Sequence, residues 1–230
     1  MPTSKKNDPR TLPVLEARTA TWRLHLEKTA KQFEKMGFET SVVESIEDAA
    51  TLLMHTVVPA CAPKTVSFGG SVSVQQSGVL DALLAHKDIE VLNTYDYSLP
   101  PEASTELRRK ALTVDLYITS VNAVAETGQL VLLDGIGNRT AAVQFGPKKV
   151  VLFIGRNKLC PTLEAAMDRT RNIAGPANAM RLNRQTPCTK TGECMNCQSP
   201  ERICSTWTIT ERSFPKGRIH LVFINEEVGF

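Results

Sequence analysis

The sequence has no apolar segment long enough to cross a membrane. Its longest uninterrupted apolar run is Val150 to Ile154, whereas a membrane-spanning helix needs roughly 20 such residues. The N-terminal residues, MPTSKKNDPR, also lack the apolar stretch of a secretory signal. We therefore interpret residues 1–10 as a disordered tail, expect no membrane span, and expect a cytoplasmic protein.

The sequence also lacks a surplus of charge of either sign. Its 27 lysines and arginines are offset by 24 aspartates and glutamates, which leaves a formal net charge of +3. The basic residues are interspersed with acidic ones, whereas nucleic-acid binders usually cluster them on one surface. The densest basic run, Arg108 to Lys110, falls at the end of a predicted helix, where it complements the helix dipole. We expect no nucleic-acid partner.

Two common nucleotide-binding signatures are absent as well. No segment has the Gly-Lys-Ser/Thr ending of a phosphate-binding loop, and none has the GxGxxG pattern of a dinucleotide-binding turn. The sequence therefore shows no flavin or NAD motif.

What the sequence does contain is an alternation of β-like and helical segments. Repeated strand–helix–strand units with short connections predict an α/β fold with a mostly parallel sheet flanked by helices. We predict one domain over residues 11–230, with a cysteine-rich segment at 186–204 and a C-terminal β-hairpin. The predicted strands are 38–43, 64–68, 89–92, 114–120, 130–133, 149–154, 206–210 and 219–224; the predicted helices are 11–36, 45–57, 74–86, 102–112 and 161–173. Pro59 and Gly175-Pro176 are expected to interrupt helices, and a further helical turn or two after Gly175-Pro176 is expected to reach Leu182.

Polar, glycine-containing loops follow several predicted strands. The carboxyl ends of parallel strands meet at one edge of a sheet, where ligands usually bind. Amides, hydroxyls and an arginine that can clamp a carboxylate or phosphate suit an anion. The alternative is that these loops are ordinary turns and that Arg139 forms a surface ion pair. We predict a small anionic metabolite as the ligand, bound by Gly69, Gly70, Ser71, Asn122, Asp134, Gly135, Gly137, Asn138, Arg139, Gly155, Asn157 and Lys158.

Glu126 is the candidate catalytic residue. It precedes Thr127-Gly128, a dipeptide that suits a hairpin turn. In the pocket its carboxylate would act as a base or nucleophile. The alternative is a solvated carboxylate beside a turn.

Four of the six cysteines fall close together, as Cys188-x5-Cys194-x2-Cys197-x6-Cys204. A cytoplasmic chain rarely keeps structural disulfides, so clustered thiols favour a metal site. Zinc and a [4Fe–4S] cluster both accept four cysteines. Zinc ribbons typically carry two C-x2-C pairs and this chain has one, which tilts the prediction towards the cluster. The alternative is four reduced thiols, or disulfides formed on oxidation.

Several of these segments resemble the LUD (lactate-utilisation) domain family. The resemblance runs from about residue 10 to the C-terminus, and the cysteine segment looks like that of the cysteine-bearing, stand-alone members. The segments that carry it are DLYITSVNAVAETGQLV from Asp115, DGIGNR from Asp134, GPKKVV from Gly146, GRNK from Gly155, TPCTKTGECMNC from Thr186 and RIC from Arg202.

The resemblance implies a fold similar to the ribose-phosphate isomerase, glucosamine-phosphate deaminase and CoA-transferase superfamily. It places Gly69-Gly70-Ser71 in the first ligand loop, and Glu126 near the position where CoA transferases carry a glutamate. Members of the family are associated with oxidation of L-lactate to pyruvate, alongside partner proteins that carry iron–sulphur clusters.

Three functions follow as hypotheses. The first is a subunit or accessory factor of a lactate-oxidising system. The second is an independent isomerase- or transferase-type enzyme that uses Glu126 on a phosphorylated or CoA-linked substrate. The third is a ligand or metal sensor without chemistry. Because the sequence leaves these open, it does not decide whether the chain is an enzyme.

Overall fold

The structure is a computed structural model and describes residues 12–230. The predicted tail at residues 1–10 and the predicted start of the first helix at Thr11 lie outside the described residues.

The chain alternates strands and helices, as the sequence predicts. The strands are β1 Glu39–Val43, β2 Thr65–Phe68, β3 Glu90–Leu92, β4 Leu116–Thr119, β5 Ala123–Ala125, β6 Gln129–Asp134, β7 Lys149–Gly155, β8 Leu159–Cys160, β9 Thr206–Thr210 and β10 Ile219–Ile224. The helices are α1 Val14–Lys35, α2 Ile46–Leu52, α3 Val58–Cys61, α4 Val72–Gln76, α5 Val79–Leu84, α6 Pro101–Lys110, α7 Asn138–Gln144, α8 Leu163–Arg169, α9 Gly175–Arg181 and α10 Cys188–Thr191.

Six strands form a parallel central sheet in the order β1-β10-β7-β4-β2-β3. Side chains of β7 alternate between the two faces: Leu152 packs with Leu26 and Phe33 of α1, whereas Phe153 packs with Leu53 and Val74 on the other face. Both faces of the sheet are therefore covered, and the predicted α/β fold is confirmed. A sheet buried in this way offers polar ligands access only at its edges.

A second sheet, in the order β8-β5-β6-β9, lies beside the first and was not predicted. The predicted C-terminal hairpin is wrong, because β9 pairs antiparallel with β6 while β10 lies between β1 and β7. The different burial of β9 and β10 explains why these two strands lie in different sheets. Every residue of β10 is buried, as a central strand requires, whereas β9 is mostly half-exposed, as suits the edge of the smaller sheet.

The helical segments differ from prediction at three points. The predicted helix 74–86 is two helices, α4 and α5, because Gly78 between them takes a left-handed conformation with φ +70°. The predicted interruptions at Pro59 and at Gly175-Pro176 are wrong. In both places a wider turn, Leu53–Val57 or Thr170–Ala174, leads into the next helix with the proline at its second residue. A missing N–H costs little at that position.

Within residues 12–230, no helix is both long and apolar enough to traverse a bilayer.

Candidate functional site

A cavity of about 460 Å³ opens where the carboxyl ends of the strands meet. Ser71 follows β2, Ser120 follows β4, Asp134 ends β6 and Lys158 follows β7, and all four line this cavity. The strand-end loops that the sequence singles out therefore converge in space.

Eight of the twelve predicted ligand-binding residues line the cavity: Gly70, Ser71, Asn122, Asp134, Gly135, Asn138, Arg139 and Lys158. Four do not: Gly69, Gly137, Gly155 and Asn157. The structure thus brings most of the predicted set together, and their role in binding stays a prediction.

Arg139 is the central side chain of the cavity wall. Its Nε donates to Asp134 Oδ1 at 3.0 Å, and its Nη2 donates to Asn122 Oδ1 at 2.7 Å and to the Leu133 carbonyl at 3.0 Å. A longer bond of 3.4 Å joins Nη1 to the carbonyl of Ser120. The guanidinium therefore links the end of β4 to the end of β6. Its Nη1 makes the weakest of these hydrogen bonds.

Lys158 is buried at the floor of the cavity. Its Nζ donates to Ser73 Oγ at 2.9 Å and to Ser120 Oγ at 2.8 Å. Both hydroxyls are themselves donors, to the Val228 and Phe153 carbonyls respectively, so they can only accept from the amine. Burial, together with the nearby charges of Arg169 and Arg139, lowers the pKa of Lys158 from 10.5 to about 7. This amine can gain or lose a proton near neutral pH.

Asn157, although predicted to bind ligand, instead holds the C-terminal segment. Its side chain accepts a hydrogen bond from Val228 N at 3.0 Å and donates one to the Gly229 carbonyl at 3.2 Å. The backbone there is packed tightly, since a Cβ on Gly155 would lie 2.6 Å from Val228 N. Gly155 and Asn157 thereby position Gly229 beside the Lys158 amine.

Gly69 is required by packing and does not face the cavity. A Cβ at this position would lie 2.6 Å from Thr119 Oγ1 and 2.7 Å from Tyr117 Oη. Gly70, the next residue, has no atom within 4 Å of the corresponding position. The two adjacent glycines therefore allow a direct comparison: a side chain at Gly69 would meet packed atoms, whereas a side chain at Gly70 would meet none.

We expect Gly69→Ala to lower the free energy of unfolding by about 1–3 kcal/mol, because the added methyl group overpacks a buried contact. Gly70→Ala should change it by less than about 1 kcal/mol, within the usual effect of an unstrained surface substitution. Urea denaturation of both variants measures the difference. Equal stabilities would show that the close approach at Gly69 is not structurally important.

Tyr95 organises the first loop and was missed by the sequence analysis. Its hydroxyl donates to the Gly69 carbonyl at 2.7 Å and accepts from Ser71 N at 3.1 Å, and burial raises its pKa. Tyr95 and Thr94 follow β3, so the same strand-end rule would have found them had it been applied to that strand.

Three further arginines also line the cavity: Arg108, Arg181 and Arg184. Arg108 was interpreted as part of a solvated helix end, and nothing in the local sequence distinguishes it from Arg109. Arg181 lies in the further helical turns predicted after Gly175-Pro176, which the structure shows as α9, but no local signal marks it or Arg184 as lining the cavity.

Glu126, the candidate catalytic residue, lies apart from this cavity. Its carboxylate is 3.2 Å from His25 Nδ1 on α1. It borders a different groove, together with the charged residues Glu27, Lys28 and Lys31 of that helix. The structure therefore does not bring Glu126 together with Arg139 and Lys158.

The four clustered cysteines line a second, small cavity. All four are free thiols and half-buried, and burial raises the pKa of Cys204. In the described part of the chain, no three Cys, His, Asp or Glu side chains converge closely enough to hold one metal ion.

The fold and the cavity define an α/β protein with a cationic strand-end cavity and an adjoining cysteine-lined cavity. The LUD domain family matches residues 26–224, and the chain belongs to that family. The predicted resemblance is thereby confirmed.

Among solved structures, the chain is similar to a DUF162 family protein from Deinococcus radiodurans, with 12% identity, 90% of this chain and 97% of that chain covered, and a TM-score of 0.45. It is also similar to eIF2B beta from Chaetomium thermophilum, with 15% identity and a TM-score of 0.28, over 59% of this chain and 42% of that one. No curated protein matches the chain.

Proposed function

We propose that this chain is a cytoplasmic lactate-utilisation protein that binds a small anionic metabolite in the strand-end cavity. In this proposal it acts as a subunit or accessory factor in the oxidation of L-lactate to pyruvate. Family membership supports the general assignment. The observation that carries the proposal is the charge of the side chains that line the cavity: one is a carboxylate, Asp134, and five are basic, Arg108, Arg139, Lys158, Arg181 and Arg184.

The single carboxylate does not neutralise these cations. Asp134 Oδ1 accepts from Arg139, and its Oδ2 accepts from Thr140 N at 3.0 Å. Among residues 12–230, Arg181 donates hydrogen bonds only to the neutral side-chain amide of Asn178, from Nη2 at 2.9 Å and from Nε at 3.1 Å. An anionic ligand would supply the missing negative charge, and the hydroxyl and amide groups that line the cavity would orient it.

The proposal assigns electron transfer to partners. The sequence has no flavin or NAD motif, and oxidation of lactate releases two electrons that such a cofactor or a metal cluster must accept. We therefore propose partner subunits that carry iron–sulphur clusters.

Calorimetric titration with pyruvate and with L-lactate tests the binding. Removing the two exposed cations in Arg181→Ala/Arg184→Ala should weaken the affinity about tenfold, since each exposed charge contributes up to about 1 kcal/mol. The matched control is Lys28→Ala/Lys31→Ala, which makes the same change in net charge on exposed positions of α1. If the affinity weakened equally in both double variants, the effect would come from the overall charge of the protein. That result would remove the support for binding in this cavity.

The size of the cavity favours a second candidate, an isomerase- or transferase-type enzyme acting on a phosphorylated or CoA-linked substrate. A volume of about 460 Å³ lies within the range of sites for ligands much larger than a three-carbon acid. This candidate requires Glu126 to reach the substrate, although the structure places Glu126 outside this cavity. If the candidate is correct, Glu126→Gln should abolish turnover of a sugar phosphate or CoA ester. Binding of either compound without turnover would favour the third hypothesis, a ligand sensor.

A further inference from the structure

The four clustered cysteines share one local environment. Cys188 lies in α10, and Cys194, Cys197 and Cys204 lie in the loop between α10 and β9; all four line the same cavity. The backbone is shaped to allow this. Gly192 and Asn196 both have positive φ, +78° and +45°, and they stand before the second and third cysteine, where left-handed conformations suit Gly and Asn.

The cavity holds more space than a single metal ion requires. Its volume is about 30 Å³, compared with the roughly 10–15 Å³ that one water molecule needs on the same measure. Zinc held by four thiolates would draw the sulphurs to about 2.3 Å from one point, and no three of these side chains meet in that way within residues 12–230. Four sulphurs around a space suit a polynuclear group.

The surroundings also suit a group that carries negative charge. The Arg202 guanidinium donates to the Cys197 carbonyl at 2.7 Å and to the Cys204 carbonyl at 2.8 Å, which fixes two of the cysteines and places a cation beside the sulphurs. The lining of the cavity also includes the apolar residues Pro176, Ile203 and Trp207. Nearby cations and restricted water access are the means by which proteins stabilise iron–sulphur clusters.

The cysteine cavity and the anion cavity share a wall. Leu133 and Ile203 line both cavities. Behind them the cysteine segment packs backbone to backbone on the Asp134 loop: Ser205 N donates to the Asp134 carbonyl at 2.7 Å, and a Cβ on Gly135 would lie 3.3 Å from Ile203 Cα. These contacts join the cysteine segment to the end of β6 and the loop that leads into α7, the helix that carries Arg139.

We propose that Cys188, Cys194, Cys197 and Cys204 hold a [4Fe–4S] cluster within this chain, and that the bound cluster braces the 133–139 wall of the anion cavity. The segment has few apolar residues of its own, so cluster ligation supplies the energy that orders it. The proposal concerns a cluster in this chain, in addition to any cluster carried by a partner.

Metal and sulphide analysis of the full chain, purified anaerobically or reconstituted with ferrous iron and sulphide, tests the cluster. We expect about four iron and four sulphide ions per chain, with visible charge-transfer absorption that bleaches on reduction. Cys194→Ser and Cys197→Ser should each lose most of this iron, whereas Cys61→Ser, which changes a half-buried cysteine outside the cavity, should retain it. Zinc without sulphide, iron retained by both cavity variants, or a reconstituted chain free of iron would each overturn the proposal.

Amide hydrogen exchange tests the shared wall. Loading the cluster should slow exchange of the 133–139 amides about tenfold, because local opening then also costs ligation energy. The α2 helix, which has no residue in the lining of either cavity, serves as the internal reference. Unchanged exchange at 133–139 in a chain with full iron content would disprove the bracing. Neither readout depends on pyruvate binding, so failure of this inference and failure of the proposed function are distinguishable.

Discussion

Arg139→Ala is expected to lower the free energy of unfolding by about 3–5 kcal/mol, the usual cost of leaving one partner of a buried ion pair alone. The Arg139 and Asp134 side chains are each only 11% exposed, so water in the cavity replaces the lost guanidinium only in part. The Leu133 carbonyl would lose its bond from Arg139, whereas Asn122 Oδ1 would keep its bond from Leu133 N. Because Arg139 ties β4 to β6, we also expect anion binding to disappear.

Urea denaturation and calorimetric titration with pyruvate measure the two effects of Arg139→Ala. Arg109→Ala is the control, since Arg109 forms only an exposed pair with Glu106 and should contribute less than about 1 kcal/mol. Arg139→Lys should recover little stability, because one ammonium cannot reproduce the planar fork that meets three acceptors. A stability loss no larger than that of Arg109→Ala would contradict the central role of Arg139.

Lys158→Met should abolish the pH dependence of anion binding. With a pKa of about 7, Lys158 is mostly charged at pH 6 and mostly neutral at pH 8. Wild-type affinity for pyruvate should therefore fall about tenfold between these values, as the ammonium becomes an amine. In Lys158→Met the affinity should be weak and nearly constant. A variant that keeps the wild-type pH profile would show that another group titrates in the cavity.

Protonation of Lys158 also changes the stability of the folded protein. The folded-state pKa of Lys158 is about 7 and its ordinary value is 10.5, so between these values the unfolded chain binds more protons than the folded chain. The contribution of Lys158 to stability is fully present above about pH 10.5 and is lost as the pH falls towards 7.

Denaturation of the wild type and of Lys158→Met, each at pH 7 and pH 9, measures this effect. Stability of the wild type relative to Lys158→Met should rise by up to about 2 kcal/mol over that interval. Lys110→Met, at an exposed position in α6, is the control and should show no such rise. A flat difference for Lys158→Met would indicate that the amine stays charged when buried.

Local sequence patterns predicted most of the fold. The alternation of apolar and helical segments placed the six strands of the central sheet within a few residues, because each is a short apolar run between turn residues. Strands β5 and β8, with three and two residues, were missed because such short segments carry no periodicity. The predicted hairpin of β9 and β10 is wrong because the two strands are adjacent in sequence but not paired in space. The fully buried β10 lies inside the central sheet instead.

The candidate site could be predicted only in outline. Ser71, Arg139 and Lys158 follow strands, and parallel topology brings strand ends together, so their meeting follows from pattern alone. Arg108 and Arg181 enter the same cavity from helices, and no local signal separates them from solvated arginines. The structure places Glu126 against His25, a neighbour 101 residues away that the sequence pattern does not reveal.

The sequence by itself determined the α/β alternation, the polar strand ends and the spacing of four cysteines, because each depends on residues close together in the chain. Only the tertiary structure decided which side chains face the cavity, which donors of Arg139 are already engaged, and that the cysteine segment packs against the Asp134 loop. These properties depend on contacts between distant segments, such as Lys158 with Ser73, and the free energy of such contacts is not encoded in any local pattern.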